Sequence, residues 1–279
     1  MAVRVVTDST ADLPSGLAQK LGIAVVPLNV HFGSQVFQDG VELSHEEFYR
    51  RLVSEPRLPT TSQPSVGTFL DIYRSLAEGA EGIVSIHISA KVSGTWNSAH
   101  QAAQEIQGRC PIAVVDSRQV SLGVGLVALA AARLSQAGAS YDQVVAEANK
   151  ASGEVAVLSL LDTLEYLERG GRIGKARAFL GSLLHIKPIL TVKEGEAYPL
   201  ERVRSRSRGV ERLVGLVKEA APLADLAVLH TTSQEEAQAL AERVQPFLPD
   251  RQVHVARHSP VMGTYLGPGA LGVAYRQAR

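Results

Sequence analysis

The sequence predicts an α/β protein built as two α/β domains with mainly parallel sheets, and three observations carry that expectation. Short β-branched runs alternate with longer stretches whose apolar residues recur every three or four positions, the pattern of strands covered by helices. At 279 residues the chain is about twice the usual domain length. Hydroxyl-rich segments follow several strand runs, at the carboxyl ends where open α/β sheets place their ligands.

Taken in order, residues 3–6 read as the first strand, with no basic leader and apolar stretch of signal-peptide length ahead of it. Residues 25–57 interrupt the simple alternation: Pro27, Gly33, Gly40 and Pro56 divide them into extended pieces followed by a helix over 45–53. The pattern then gives helices over 66–76, 93–106 and 120–137, with strands over 83–88 and 112–115 between them. A boundary near Glu154 separates an N-terminal domain, residues 1–154, from a C-terminal domain, residues 155–279. The second domain opens with a strand over 155–160 and continues with strands over 226–229 and 253–256 around a helix over 235–247.

Composition narrows the function. Twenty-eight basic and 28 acidic residues cancel, which argues against a surface built for nucleic acid or an anionic membrane. Cys110 is the only cysteine, so no intrachain disulfide or cysteine metal cluster can form, and a reducing, cytoplasmic setting fits. No apolar run reaches about 18 residues, so no helix is expected to span a bilayer and any membrane contact is transient.

Several motifs match by spelling and fail on mechanism. Gly267-Pro-Gly-Ala-Leu-Gly272 has the glycines of a dinucleotide fingerprint but not the helix and second strand that must follow. The glycines at 123 and 125 come well after the strand ending at 115, so close helix packing explains them. In Gly170-Gly-Arg-Ile-Gly-Lys175, Arg169 stands where a phosphate loop needs its first glycine, and Ala176 stands where it needs a Ser or Thr. The run starting at His45 lacks the second histidine of a helical zinc site, and no Gly-x-Ser-x-Gly elbow exists. No metal or cofactor is expected.

A polar constellation survives. Thr61 and Ser62 precede one helix, and Ser93 and Thr95 stand where a strand passes through a loop into another. Such hydroxyls cap free helix amides, and a helix start also favours anions. With Asp8-Ser9 and Asp116-Ser117 after other strands, a shared polar site is one outcome and ordinary capping the other. A basic group, Arg169, Arg172, Lys175 and Arg177, then Arg202 to Arg212, is either a solvated face or a docking surface for an acidic or phosphorylated partner.

These residues resemble the DegV family, whose members include the fatty-acid-binding subunits of the bacterial fatty acid kinase. Seven motifs in order carry the resemblance across the chain: Val-Thr-Asp-Ser-Thr-Ala-Asp-Leu-Pro ending at Pro14, Thr-Ser-Gln-Pro at 61–64, Val-Ser-Gly-Thr at 92–95, Val-Val-Asp-Ser at 114–117, Leu-Glu-Arg-Gly-Gly-Arg-Ile at 167–173, Lys187-Pro188, and Gly-Pro-Gly-Ala-Leu-Gly at 267–272. The resemblance implies a lipid pocket between two α/β domains, with a long-chain fatty acid held by its carboxylate on Thr61 and Ser93, assisted by Ser62 and Thr95. It further implies a non-catalytic subunit that presents the carboxylate to an ATP-dependent fatty acid kinase, which makes an acyl phosphate for phospholipid synthesis. Arg169 and Arg172, with Lys175 nearby, are the docking positions it implies.

Where relatives commonly place a histidine before the final Gly-Pro-Gly, this chain has Tyr265, whose phenol donates a hydrogen bond but carries no positive charge near neutral pH. His258, seven residues earlier, is a candidate to compensate. Two other functions stay open at this point. In one, Ser93 is the nucleophile of a hydrolase or acyltransferase, activated by His87, His230 or His258. In the other, the site holds a different small carboxylate or phosphate.

Overall fold

β-Branched residues open the chain as a strand, β1 (Ala2–Asp8), in which every residue from Val5 to Asp8 is buried. Burial on both faces is what a central parallel strand requires. The computed structural model describes residues 2–14, 16–106, 110–181 and 186–278. Its first half continues with α1 (Leu17–Lys20), β2 (Ile23–Val26), β3 (Asn29–Phe32), β4 (Gln35–Gln38), α2 (His45–Ser54), β5 (Thr60–Ser62) and α3 (Val66–Ala77). β6 (Ala80–His87), α4 (Thr95–Glu105), β7 (Ile112–Asp116), α5 (Leu122–Gln136) and α6 (Tyr141–Ser152) complete it. The second half runs β8 (Val155–Leu160), α7 (Glu165–Arg169), β9 (Lys187–Lys193), β10 (Glu196–Val203), α8 (Arg206–Ala220), β11 (Leu223–His230), α9 (Gln234–Val244), β12 (His254–Arg257), α10 (Pro260–Leu266) and β13 (Leu271–Gln277).

The α/β class holds, and the first sheet, in the order β2-β1-β6-β7, is parallel throughout. The expectation of a mainly parallel second sheet fails. Its order is β10-β9-β8-β13-β11-β12, and only the β11–β12 pair is parallel. The reason lies in a short connection. Glu194 and Gly195 both take left-handed φ, 53° and 85°, and join Lys193 to its partner Glu196 in a two-residue hairpin turn. A hairpin needs no crossover helix, so its strands run antiparallel. β13 likewise enters between β8 and β11 antiparallel to both.

Two strands of a third, small sheet, β4-β3-β5, are the extended pieces expected within residues 25–57, namely β3 and β4. Helices expected at 45–53, 66–76, 93–106, 120–137 and 235–247 form as α2, α3, α4, α5 and α9.

α5 organises the interior. Residues Leu122 to Ala132 are all buried, so over this stretch the helix has no solvent face. It lies between the two large sheets, against β1 and β6 on one side and β8, β11 and β13 on the other. Its glycines permit the approach: a Cβ on Gly123 would come 2.7 Å from Val157 Cγ2, and one on Gly125 would come 2.5 Å from the Ala11 carbonyl oxygen. One apolar core therefore runs through Val3, Val84, Val127, Val157, Leu229 and Ala274. α3 and α4 cover the outer face of the parallel sheet through Phe69, Tyr73, Ala99 and Ala102. α8 and α9 cover the outer face of the second through Leu213, Val217 and Leu240. Among the described residues, no helix is long and apolar enough to cross a membrane.

Candidate functional site

β5 pairs with β3 so that Thr61 lies opposite Val30 and Ser62 opposite Asn29. Successive strand residues face opposite ways, so the two hydroxyls part company. Ser62 Oγ meets His31 Nε2 at 2.9 Å and accepts from Asn29 Nδ2 at 3.4 Å. Thr61 Oγ1 meets the Tyr265 hydroxyl of α10 at 2.6 Å.

The second hydroxyl motif leaves β6 in a tight turn, with Ser93 N donating to Ser89 O at 3.2 Å. Ser93 Oγ accepts from Thr95 N at 3.3 Å and shares a hydrogen bond with Thr95 Oγ1 at 2.8 Å. α4 starts at once, so its first-turn amides and the positive end of its dipole lie beside Ser93. Thr95 is fully buried and holds Ser93 in place from behind. The two motifs touch: a Cβ on Gly94 would lie 2.9 Å from Gln63 Nε2.

The facing wall comes from the Arg-Gly-Gly-Arg segment. Gly171 N donates to Glu168 O and Arg172 N to Leu167 O, both at 3.0 Å, the paired bonds that close a helix through a left-handed residue. Gly171 supplies that residue, with φ 71°. Gly170 answers a packing need, since a Cβ there would come 2.5 Å from Tyr265 Cδ1. The Arg172 guanidinium then lies over the Tyr265 ring, 5.2 Å from its centroid.

Thr61, Ser62, Ser93, Tyr265 and Arg172 all line one pocket. Apolar walls and a few converging polar groups are the marks of a small-molecule site. Ile88 and Val120 come to it from the first half of the chain, and Val157, Leu190, Val192 and Leu266 from the second. These wall residues escaped the sequence reading, because a β-branched or leucine side chain on a pocket wall has the same pattern as one in a core. Gln63 was also missed, although its place within Thr-Ser-Gln-Pro is a signal.

The other sequence-selected residues lie elsewhere. Arg169 makes an exposed ion pair with Glu165 at 3.0 Å. Lys175 faces Glu194 at 3.5 Å and Glu196 at 3.6 Å, and the Glu194 charge, with Glu196 behind it, raises its pKa above the ordinary lysine value. His258 does not line the pocket: its Nδ1 is 2.8 Å from Asp12 Oδ2 and 3.0 Å from Ser121 Oγ, so it cannot stand in for a histidine beside Tyr265. His87 is committed to Asp8 at 2.9 Å and Ser85 at 2.7 Å. His230 lines a separate cleft with Asp39 and Arg257, where burial, followed by the Arg257 charge, pushes it down to about 4. Ser93 therefore has Thr95 as its hydroxyl partner and none of the three histidines that could activate it.

Comparison with known proteins agrees with this geometry. The family model described as "Uncharacterised protein, DegV family COG1307" matches residues 2–278. A DegV domain-containing protein of Streptomyces coelicolor is 41% identical, over 97% of this chain and 97% of its own. A DegV family protein from Thermus thermophilus, described by its fatty acid binding, superimposes with a TM-score of 0.91 at 38% identity, over 99% of this chain and 100% of that one. DegV of Bacillus subtilis, described as a fatty acid binding protein, gives a TM-score of 0.90 at 33% identity over 99% of both chains. Motif order, fold and full-length similarity agree: this chain belongs to the DegV family.

Proposed function

We propose that this chain binds one long-chain fatty acid, with the tail along the aliphatic pocket and the carboxylate between Thr61 and Ser93. The observation that carries the proposal is the meeting of the two hydroxyl motifs, at the start of α4, on the lining of one apolar pocket. A carboxylate leaving water needs several donors, and hydroxyls with helix amides supply them. The tail supplies most of the affinity. At about 0.8 kcal/mol per methylene, a chain of roughly fifteen contributes about 12 kcal/mol gross, before association costs. The fatty acid binding described for the Thermus thermophilus and Bacillus subtilis relatives supports the choice of ligand.

The protein holds its ligand without catalysis of its own and presents the head group, in the cytoplasm, to an ATP-dependent fatty acid kinase that forms the acyl phosphate. Arg169 and Lys175 are exposed on the segment that also carries Arg172 to the pocket, and they suit docking of an acidic kinase surface. The boundary near Glu154, with domains at 1–154 and 155–279, places every strand of the parallel sheet on one side and every strand of the six-stranded sheet on the other.

Delipidated protein titrated with palmitate by calorimetry is expected to bind one molecule per chain. Arg169→Glu with Lys175→Glu is expected to leave that titration unchanged while lowering kinase turnover about tenfold or more, as loss of steering charge does. Absence of binding rejects the ligand, and unchanged turnover rejects the docking surface.

A further inference from the structure

α10 is seven residues long, and Val261, Met262, Tyr265 and Leu266 on it all line the pocket. Ser259 opens the helix, its Oγ accepting from Met262 N at 3.4 Å. At about 1.5 Å of rise per residue, Tyr265 stands roughly 9 Å along the axis from Ser259, so where the helix begins decides where the phenol ends up. That beginning is held by Asp12, from the opposite end of the chain. One carboxylate oxygen accepts from Ser259 N at 2.9 Å, and the other accepts from Ser121 Oγ at 2.6 Å and His258 Nδ1 at 2.8 Å. His258 is tied a second time, its carbonyl accepting from the Tyr49 hydroxyl at 3.1 Å.

Three donors thus converge on one buried side chain. A carboxylate receives them on two acceptor oxygens, whereas an amide has one acceptor oxygen and turns an N–H₂ toward the remaining donors. The backbone is committed to the same contact. Asp12 and Ser121 meet with left-handed φ, 47° and 53°, and non-glycine residues hold that conformation only where their surroundings fix it. The Asp12 carboxylate does not line the lipid pocket, so whatever it does for a ligand it does through α10.

We infer that Asp12 is a positioning residue for the head-group site: by fixing the start of α10 it sets the Tyr265 hydroxyl against Thr61, and so governs the grip on a fatty acid carboxylate that it never touches. This rests on the fatty-acid reading of the pocket. It gives the buried Asp12, Ser121 and His258 cluster a part in binding, although the cluster lies outside the pocket lining.

The test is a double-mutant cycle of Asp12→Asn with Tyr265→Phe, read by palmitate titration of the delipidated proteins. Asn tolerates left-handed backbone as Asp does, so Asp12→Asn changes the acceptors and not the conformation. Each single variant is expected to bind palmitate about tenfold more weakly than wild type. The double variant is expected to lose about tenfold as well, and not about a hundredfold, because both substitutions remove the same positioned phenol. Ser121→Gly suits a φ of 53° and removes only one donor to Asp12. It is expected to weaken binding about threefold, with no further loss in the Tyr265→Phe background, and it decides the question alone if Asp12→Asn does not fold. Additive losses would mean that Asp12 supports the fold and not the phenol, and unchanged palmitate affinity in the single variants at Asp12 and Ser121 would mean that the start of α10 does not set the site. Either result overturns the inference while leaving the pocket a lipid site. If wild type binds no palmitate, the fatty-acid reading fails, and this inference fails with it.

Discussion

At the scale of single residues, the site depends on hydroxyls that serve two purposes. Ser93 caps the approach to α4 through Thr95 N and also faces the pocket, and Thr61 orients the Tyr265 phenol. Thr61→Ala and Ser93→Ala are each expected to weaken palmitate binding about tenfold, the worth of a hydrogen bond to a charged group, with far-ultraviolet circular dichroism unchanged. Unchanged affinity in the double variant would reject the head-group assignment. Asp39 offers a different prediction. Its carboxyl is buried, accepts from Ser9 Oγ at 2.7 Å through one oxygen, and has no partner on the other among the described residues. Burial, with Asp12 and Asp8 nearby, raises it from 3.8 to about 7. The folded chain thus holds this proton more tightly than the unfolded one. The stability it contributes is complete below pH 3.8 and is lost as pH rises through about 7. Asp39→Asn should therefore raise the melting temperature by roughly 5 °C at pH 8.5 and hardly at all at pH 4.5. An equal change at both pH values in a thermal scan would contradict buried ionisation as the cause.

At the scale of elements, the two glycines of the Arg-Gly-Gly-Arg segment separate cleanly. Gly171 is required by backbone conformation, with φ 71° and open space around its missing side chain. Gly170 is required by packing, since a Cβ would meet the Tyr265 ring. Gly171→Ala is expected to cost about 1 kcal/mol of stability in urea unfolding with palmitate affinity retained. Gly170→Ala is expected to weaken palmitate binding, because it displaces the phenol that orients Thr61. The reverse ranking of the two affinities would contradict this division. Much of this level was legible in the sequence. The hydroxyl motifs at 61–62 and 93–95 are legible from residue type and position ahead of helices, and α3 to α5 from apolar spacing. The hairpin of β9 and β10 was not found, because a Glu-Gly turn is a weaker signal than Asn-Gly and nothing before or after it alternates strictly. That omission produced the wrong expectation of a parallel second sheet. The stacking of Arg172 on Tyr265 was also invisible, since 93 positions separate the two residues and only the closing turn after α7 brings them together.

At the scale of the whole molecule, one helix buried on every side from Leu122 to Ala132 joins two sheets of opposite construction, and the pocket opens where strands and loops from both halves meet. The parallel half supplies the hydroxyls and the α4 amino terminus. The antiparallel half supplies most of the aliphatic wall, together with Tyr265 and Arg172. A ligand in that pocket touches both halves, so it stabilises the folded chain by mass action as well as satisfying its own tail. The most direct test of the central claim is denaturing mass spectrometry of the protein purified without added lipid and again after incubation with palmitate. One released fatty acid per chain is expected in at least the incubated sample, and none from a Thr61→Ala, Ser93→Ala variant treated in the same way at limiting ligand. No released lipid from wild type in either sample would contradict it.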